Sequence, residues 1–568
     1  VTATIVSSST LGAIKGATGG IAQGHLVYAA NTGRWWFFTY VGKVDSGTAT
    51  SGSKSQLADT GKTWTAGQYL GYACIITGGT GSGQAFTIGN NTSTVLPVID
   101  NGATGSWLGT ALAAGSTYEI IEATRVRAYV SSSADLTTAT WSEATGSPSP
   151  SIADGTSLGL GINLAGGKNN PGGYGEFPVD GRLLAVGYGS ISSVDVVHLL
   201  TQQDSHYIHT TERARLTAAT TITWDANVHS GGGGSGWNDT APGVEDAPDF
   251  PQALSIGLSS TNRWWWVNEE NFQPVSGYAS GVVDNGTANQ DPSWAGNNGG
   301  VKPTSFDNAV TGAPWQSAVV PLASGFMLAV YCFGDENGTT PSGGNTYNAG
   351  LRFAESASAT QWPTSTTAGA AVPNLSSAHN HPNDWGICRV SDTDVHVVRR
   401  NSGTVLEHVR YSGHGGSWGA KVTLPSTGLT GQQAGSGVPL VSDGTSVWAF
   451  VLDTDASHSI RYLKWTSGGG WASSWSTLST STEAKDFLTA TYGNSMIGVA
   501  WTANSSAPYA VNVAALTLSS PGLKNAQARY AITVPTAGWR NAGCRYLISV
   551  PPSTQPWSQP RPLSGSLM

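Results

Sequence analysis

The chain has 568 residues, 74 of them Gly, with 11% charged residues, a formal net charge of -8 and a pI near 5.7. Few stretches carry the Ala, Leu, Glu and Lys density of stable helices, and no run of Lys or Arg supplies the footprint of a nucleic-acid or anionic-membrane binder. No apolar run approaches the roughly 20 residues of a membrane span, and Val1-Thr2-Ala3-Thr4-Ile5-Val6 lacks the basic start and apolar middle of a signal peptide. A start at Val1 fits loss of an initiator Met or of a leader equally well.

Residues 1–23 are small and polar, with one strand-like stretch, Thr4-Ile5-Val6, expected as an outer strand that closes a ring against the last repeat. The first repeat opens with His25-Leu26-Val27-Tyr28-Ala29-Ala30, turns at Asn31-Thr32-Gly33, and enters the strand Arg34-Trp35-Trp36-Phe37-Phe38-Thr39-Tyr40. The same turn-then-apolar-strand unit is legible at 180–186, 262–267, 324–330, 392–398, 443–450 and 493–499. Gly, Asn and Asp supply the tight reversals, and β-branched and aromatic residues supply the strands. Seven such hairpins predict an all-β chain: a β-propeller of about seven blades, within a range of six to eight.

The third strand of the first repeat does not follow directly. A Ser/Gly/Thr-rich passage from Asp45 to Lys54 leads into a compact segment, and the blade resumes at Thr124. This predicts a small β domain inserted at a loop, where the two ends already lie close. The expected organisation is a propeller start at 1–47, an inserted domain at 48–123, the rest of the propeller at 124–520, and C-terminal strands with a Pro-rich arm at 521–568.

Within the insert, Asp59-Thr60-Gly61-Lys62-Thr63-Trp64, Ile75 to Ile88, Asn90 to Leu96 and Ser116-Thr117-Tyr118-Glu119-Ile120 follow in order. This segment, about 56–121, resembles a small β module of bacteriophage virion proteins, especially tail and fibre components, that also occurs in some bacterial surface proteins. The resemblance implies a structural role with no catalytic residues. Pro97 departs from the pattern and predicts an edge strand or an early stop. The glycines from Gly78 to Gly83 run on into the strand Phe86-Thr87-Ile88, so they read as a hairpin turn and not as a phosphate loop.

Several third strands end in a Ser/Gly/Thr loop that closes on a Trp: Trp141, Trp224, Trp362, Trp418 and Trp475. Ser133-Ala134-Asp135 with Thr140-Trp141 resembles the Asp-box turn of sialidase-like propellers, although the spacing is one residue too long and the other copies lack the Asp. Apart from the insert, the chain resembles a sialidase-like or Kelch-like propeller with degenerate turns of this kind. Each such Trp is expected to wedge between blades, and strand alternation to send every second side chain inward.

Long irregular stretches at 158–179, 229–251 and 333–348 are the expected binding surface. Ligand-binding candidates are Tyr174, Trp237, Asn238, Asp239, Glu269, Glu270, Asp335 and Glu336. The acidic pairs, with Asp392 and Asp394, read as turn residues. Arg34, Arg263, Arg352, Arg399 and Arg400, which a sialidase-like site would need together, are spread over several blades. His379 with His381, His206 with His209, and Asp453 with Asp455 lack the further ligands of a metal site, and no metal or cofactor is expected. The four cysteines read as buried thiols, although Cys332 and Cys388 fall in consecutive repeats and could meet.

After Leu518, strands are expected at 531–534 and 546–550, followed by an arm at 551–562 whose Pro556, Trp557, Pro560 and Arg561 are candidates for contact with a neighbouring subunit. The expected function is a non-enzymatic phage virion component, a tail-fibre, tail-tip or head-surface protein. Its expected partners are other virion proteins, further copies of itself, and a host-surface glycan or protein receptor, with no nucleic acid and no membrane span. A sialidase-like glycan-processing enzyme and a secreted or cell-surface microbial adhesin are the alternatives.

Overall fold

The computed structural model describes residues 2–6, 24–40, 43–70, 72–82, 84–98, 110–121, 126–149, 184–202, 209–225, 255–270, 273–279, 283–288, 294–295, 304–305, 314–333, 351–363, 369–375, 384–401, 405–433, 435–480, 483–503 and 510–518. The chain divides into residues 1–518 and 519–568. The second unit lies wholly outside the described residues, and with it the expected strands at 531–534 and 546–550 and the arm candidates Pro556, Trp557, Pro560 and Arg561.

Strand β1 (Thr2–Val6) precedes the first hairpin, β2 (Leu26–Ala29) and β3 (Arg34–Tyr40). The chain then leaves the blade for β4 (Lys43–Thr48), β5 (Ser51–Gly52), β6 (Gln56–Ala58), β7 (Ala73–Gly78), β8 (Ala85–Thr87), β9 (Val95–Pro97) and β10 (Thr117–Ile121). It returns as β11 (Val126–Ser131), which pairs with β3, and β12 (Trp141–Glu143) completes blade one.

Blade two is β13 (Leu184–Ile191), β14 (Val194–Gln202), β15 (His209–Ala218) and β16 (Thr221–Trp224). Blade three is β17 (Ser255–Leu258), β18 (Trp264–Glu270) and β19 (Gln273–Ala279), with β20 (Trp294–Ala295) and β21 (Thr304–Ser305) both paired to β19. Blade four is β22 (Pro314–Pro321), β23 (Met327–Phe333), β24 (Leu351–Glu355) and β25 (Ala370–Ala371).

Blade five is β26 (Trp385–Ser391), β27 (Asp394–Arg400), β28 (Leu406–Tyr411) and β29 (Val422–Thr423). Blade six is β30 (Leu440–Ser442), β31 (Ser446–Leu452) and β32 (Ile460–Thr466), flanked by β33 (Gly470–Trp471) and β34 (Ser476–Ser479). Blade seven is β35 (Lys485–Gly493), β36 (Met496–Ala503) and β37 (Ala510–Thr517), and its outer place is taken by β1.

Each blade is an open antiparallel meander. The ring is made by its first strands: β2 touches β13, β13 touches β17, and contact continues through β22, β26, β30 and β35 back to β2. This is a β-propeller with seven blades among the described residues. Six of the seven predicted hairpins are the first two strands of a blade. The unit at 180–186 is out of phase, because Leu184 begins the first strand of blade two and the reversal comes later, at Ser192-Ser193. Both serines adopt left-handed backbone (φ 49° and 65°), the geometry of a two-residue hairpin turn, without the Gly or Asn that usually marks it.

Strand alternation does not sort these side chains into buried and exposed. Trp264, Trp265 and Trp266 are each at most 1% exposed. Trp264 and Trp266 pack towards blade two with Ala185, Ile191 and Val196, whereas Trp265 packs towards blade four with Val319, Met327 and Tyr331. A blade is covered on both faces, so the two-residue period of a strand assigns neighbouring residues to opposite inter-blade layers. The loop-closing tryptophans occupy the same layers. Trp362 meets Trp265 edge to face at 5.1 Å, Trp224 donates from Nε1 to Gly146 O of blade one at 2.9 Å, and Trp475 donates to Pro425 O at 2.7 Å.

The described residues between 43 and 121 have their own core, with β4-β10-β7-β8 in one sheet and β5-β6-β9 in another around Trp64, Tyr69, Cys74, Phe86, Leu96 and Tyr118. The departure from the blade lies at Lys43 and not at residue 48, because β4 pairs along its length with β10. Pro97 ends an edge strand, where its missing N–H costs no ladder bond. Cys74 and Cys388 are buried free thiols, so Cys388 forms no bridge to Cys332.

Candidate ligand-binding cleft between the fifth and sixth blades

The meander decides which segments share a face. First and second strands are joined by tight turns, such as Asp392-Thr393 and Asn494-Ser495, at one end of the propeller, and third strands lead to fourth strands at that same end. Second-to-third and blade-to-blade connections therefore all attach at the opposite end. Glu269 and Glu270 are the last two residues of β18 at that opposite end, inside the strand and not at a turn after it. The insert departs from β3 there, and 150–183, 226–254 and 334–350 connect strands that end and begin there. Tyr174, Trp237, Asn238, Asp239, Asp335 and Glu336 lie in these segments, outside the described residues, as do His206, His379 and His381.

The arginines do not converge. Arg34 and Arg263 follow first-to-second-strand turns, Arg399 and Arg400 end β27 at the other face, and Arg352 lies in a third strand. Asp453 accepts from Thr430 N, Gly431 N and Arg461 Nε, and Asp455 from Arg461, so this pair ties blade six together and is not a calcium loop.

On the tight-turn face, blades five and six part at their outer strands to leave a cleft of about 570 Å³. Asp394, His408, Arg410, Tyr411, Trp465 and Trp471 line it, with a rim of Thr393, Ser412, Ser417 and Ser467 hydroxyls. The register explains the set. His396 stands opposite Cys388 on one side and opposite Arg410 on the other, and His408 lies two residues before Arg410, so all four side chains point to blade six. Across the cleft, Trp465 pairs with Trp471 in the outer hairpin of blade six.

Arg410 is gripped by Asp394 at two points, Nε to Oδ1 at 2.9 Å and a terminal nitrogen to Oδ2 at 2.8 Å. Its Cζ lies 5.0 Å above the Trp465 ring, and its side chain is still 48% exposed. Beneath it His396, fully buried, places Nε2 3.1 Å from Asp394 Oδ1 and Nδ1 2.9 Å from His408 Nε2. The rings meet Trp465 and Trp471 edge on, at 4.4 and 5.2 Å.

Burial pushes His396 down to about 4 and His408 down to about 3, so both rings are neutral at physiological pH. Asp394 and Arg410 offset one another. The cleft is thus uncharged overall, with an aromatic wall, a forked donor held in place and several hydroxyls. It suits a polar, uncharged ligand with one apolar face.

Of these residues, only Asp394 stood out in the sequence. His396, His408 and Arg410 were hidden because nothing within one strand ties them together, and their common signal is polar residues at matching positions of adjacent buried strands.

No family model matches the chain, and no curated protein matches it. Solved structures with similar chain paths include a fucose-specific lectin from Aleuria aurantia described as a six-bladed β-propeller, at 11% identity and a TM-score of 0.33, covering 60% of this chain and 97% of that one. AofleA from Arthrobotrys oligospora matches at 10% identity and a TM-score of 0.33, over 59% of this chain and 87% of its own. A subtype N11 neuraminidase-like protein of A/flat-faced bat/Peru/033/2010 (H18N11) matches at 8% identity and a TM-score of 0.33, over 59% of this chain and 88% of its own. Likeness at this level reaches no individual residue.

Proposed function

We propose that this chain is a non-enzymatic, glycan-binding propeller carried on a bacteriophage virion, where it attaches the particle to the host surface. The observation that carries the binding half is the cleft between blades five and six. The Trp465 indole lies under a guanidinium pre-set by Asp394, Trp471 lines the same cleft, and hydroxyls stand around the rim. Such a surface matches a sugar ring, apolar on one face and hydroxylated at its edge. A single carboxylate lines the cleft and is already committed to Arg410, which favours binding over acid–base chemistry there. The virion half rests on the resemblance of the inserted segment 56–121 to the phage module.

Binding is tested on a glycan array with the full chain and Trp471→Ala, a substitution at the half-buried end of the indole pair. Loss of a central Trp is expected to weaken binding about tenfold or more. A wild type that binds no glycan, or a variant that binds equally well, would overturn the reading of the cleft. Cryo-electron microscopy of the purified particles tests the placement, and absence of the propeller from them removes the virion assignment.

A further inference from the structure

The loop that joins the third and fourth strands of blade five has two sides with different partners. Towards blade six, Ser412, Ser417, Gly419 and Ala420 line the cleft. Away from it, the same loop is fastened to blade four. Glu355, the last residue of β24, accepts from the Tyr411 hydroxyl at 2.5 Å, from His414 Nδ1 at 3.1 Å, and from Gly415 N with both carboxylate oxygens, at 3.1 and 3.2 Å. Phe326 stacks on the His414 ring at 3.6 Å, Phe353 meets Trp418 edge to face at 5.2 Å, and Asn374, just after β25, donates from Nδ2 to Gly419 O at 3.0 Å. The composition of the loop makes this fastening matter. Gly413, Gly415 and Gly416 fall within four residues, the first two in left-handed backbone (φ 94° and 63°), and glycine loses more freedom on being ordered than any other residue. Ser412 Oγ accepts from Ser417 N at 2.8 Å and donates to Ser417 O at 3.1 Å, which closes the turn on itself. Those internal bonds leave open where the turn sits relative to blade six, and the bonds to blade four settle it.

We infer that Glu355 is a positioning residue for the cleft between blades five and six: from blade four it holds the 412–417 turn so that the Ser417 hydroxyl stands at the rim before a ligand arrives. This rests on the glycan reading of the cleft. Glu355 does not itself line the cleft, and the Ser417 hydroxyl, which does, is exposed and makes no hydrogen bond among the described residues. A hydroxyl already in place loses little freedom when a sugar hydroxyl bonds to it, so the clamp acts on affinity through the wall it orders.

The test titrates the full chain calorimetrically with a panel of neutral monosaccharides and follows the one bound best. Glu355→Gln keeps the size of the side chain but replaces one accepting oxygen by a donor, and should weaken that sugar roughly three- to tenfold. Ser417→Ala should weaken it by a similar factor. The double variant should be little weaker than either alone, because the clamp acts through the wall. Factors that simply multiply would show a general loosening of the blades and overturn the inference. If Glu355→Gln or Ser417→Ala binds as the wild type does while Trp471→Ala does not, the positioning role falls and the glycan reading stands. Hydrogen exchange on the ligand-free wild type reads the clamp without any variant: the Gly415 amide should be protected although the residue is exposed, and exchange at the rate of an unstructured peptide refutes the role. A wild type inert to every neutral sugar removes the glycan reading and the inference with it.

Discussion

Acidification from pH 7 to pH 5 should remove about 4 kcal/mol of folding stability through His396 and His408 alone. Both rings are buried, 0% and 2% exposed, and burial is the main cause that lowers them from the ordinary 6.5 to about 4 and about 3. The unfolded chain binds protons as the pH falls through about 6.5, whereas the folded chain does not until about 4 and about 3. Stability from the pair is therefore intact above about pH 6.5 and is lost on acidification between those limits. At pH 5 an unfolded imidazole is almost fully protonated, worth about 2 kcal/mol per ring, and only a small part of this is already present at pH 7. Asp394 and Arg410 face the pair from β27 and β28, Cys388 stands beside it on β26, and the indoles of Trp465 and Trp471 close the side of blade six. Urea unfolding at the two pH values, for the wild type and for the double variant His396→Phe with His408→Phe, isolates the effect, since all other titrating groups are common to both. The wild type should lose about 4 kcal/mol more than the variant between pH 7 and pH 5. Parallel losses would show that the buried pair is not held neutral by burial, and the reasoning would fail.

Two further outcomes follow from the packing. A Cβ at Gly386 would overlap the Val438 carbonyl oxygen just ahead of blade six, so Gly386→Ala should cost about 1–3 kcal/mol in calorimetry; an unchanged melting temperature would refute so close an approach. Asp284, which is buried, accepts from Arg213 at two nitrogens (2.9 and 2.8 Å) and from Trp264 Nε1 at 2.8 Å. Burial alone would raise its carboxyl, but those bonds hold it below the usual carboxylate range. Asp284→Ala removes two of the bonds to Arg213, which keeps its buried ion pair with Asp225, and leaves Trp264 Nε1 without its acceptor, so it should cost about 1–3 kcal/mol in urea unfolding; an unchanged stability would contradict the assignment.

The fold was largely legible because its devices are local. Turn residues followed by aromatic runs marked Arg34–Tyr40, Trp264–Glu270 and Ser446–Leu452 as second strands, and Pro97 marked an edge. Blade two slipped by one strand because Ser192-Ser193 turns without the usual residues. The cleft was not legible. It is made where residues 393–422 meet 465–471, and sequence periodicity reports which side of a strand a residue occupies but not which blade stands opposite. The expectation that strand alternation sends every second side chain inward failed at Trp264-Trp265-Trp266 for the same reason, since a blade has two buried sides.

The seating of β1 against β37 constrains how the chain can be made. Thr2 pairs with Ala514 and Val6 with Val511, partners about 500 residues downstream that leave the ribosome roughly 25–100 s later at ordinary elongation rates. Throughout that interval the first strand has no ladder, and its exposed edge invites pairing with other chains. Blades two to six hold all their strands in one continuous stretch and can form as they emerge. Ring closure waits for the last of them, so β1, made well before its partner, is among the last strands of the propeller to be placed, and the slow step is one of long-range loop closure.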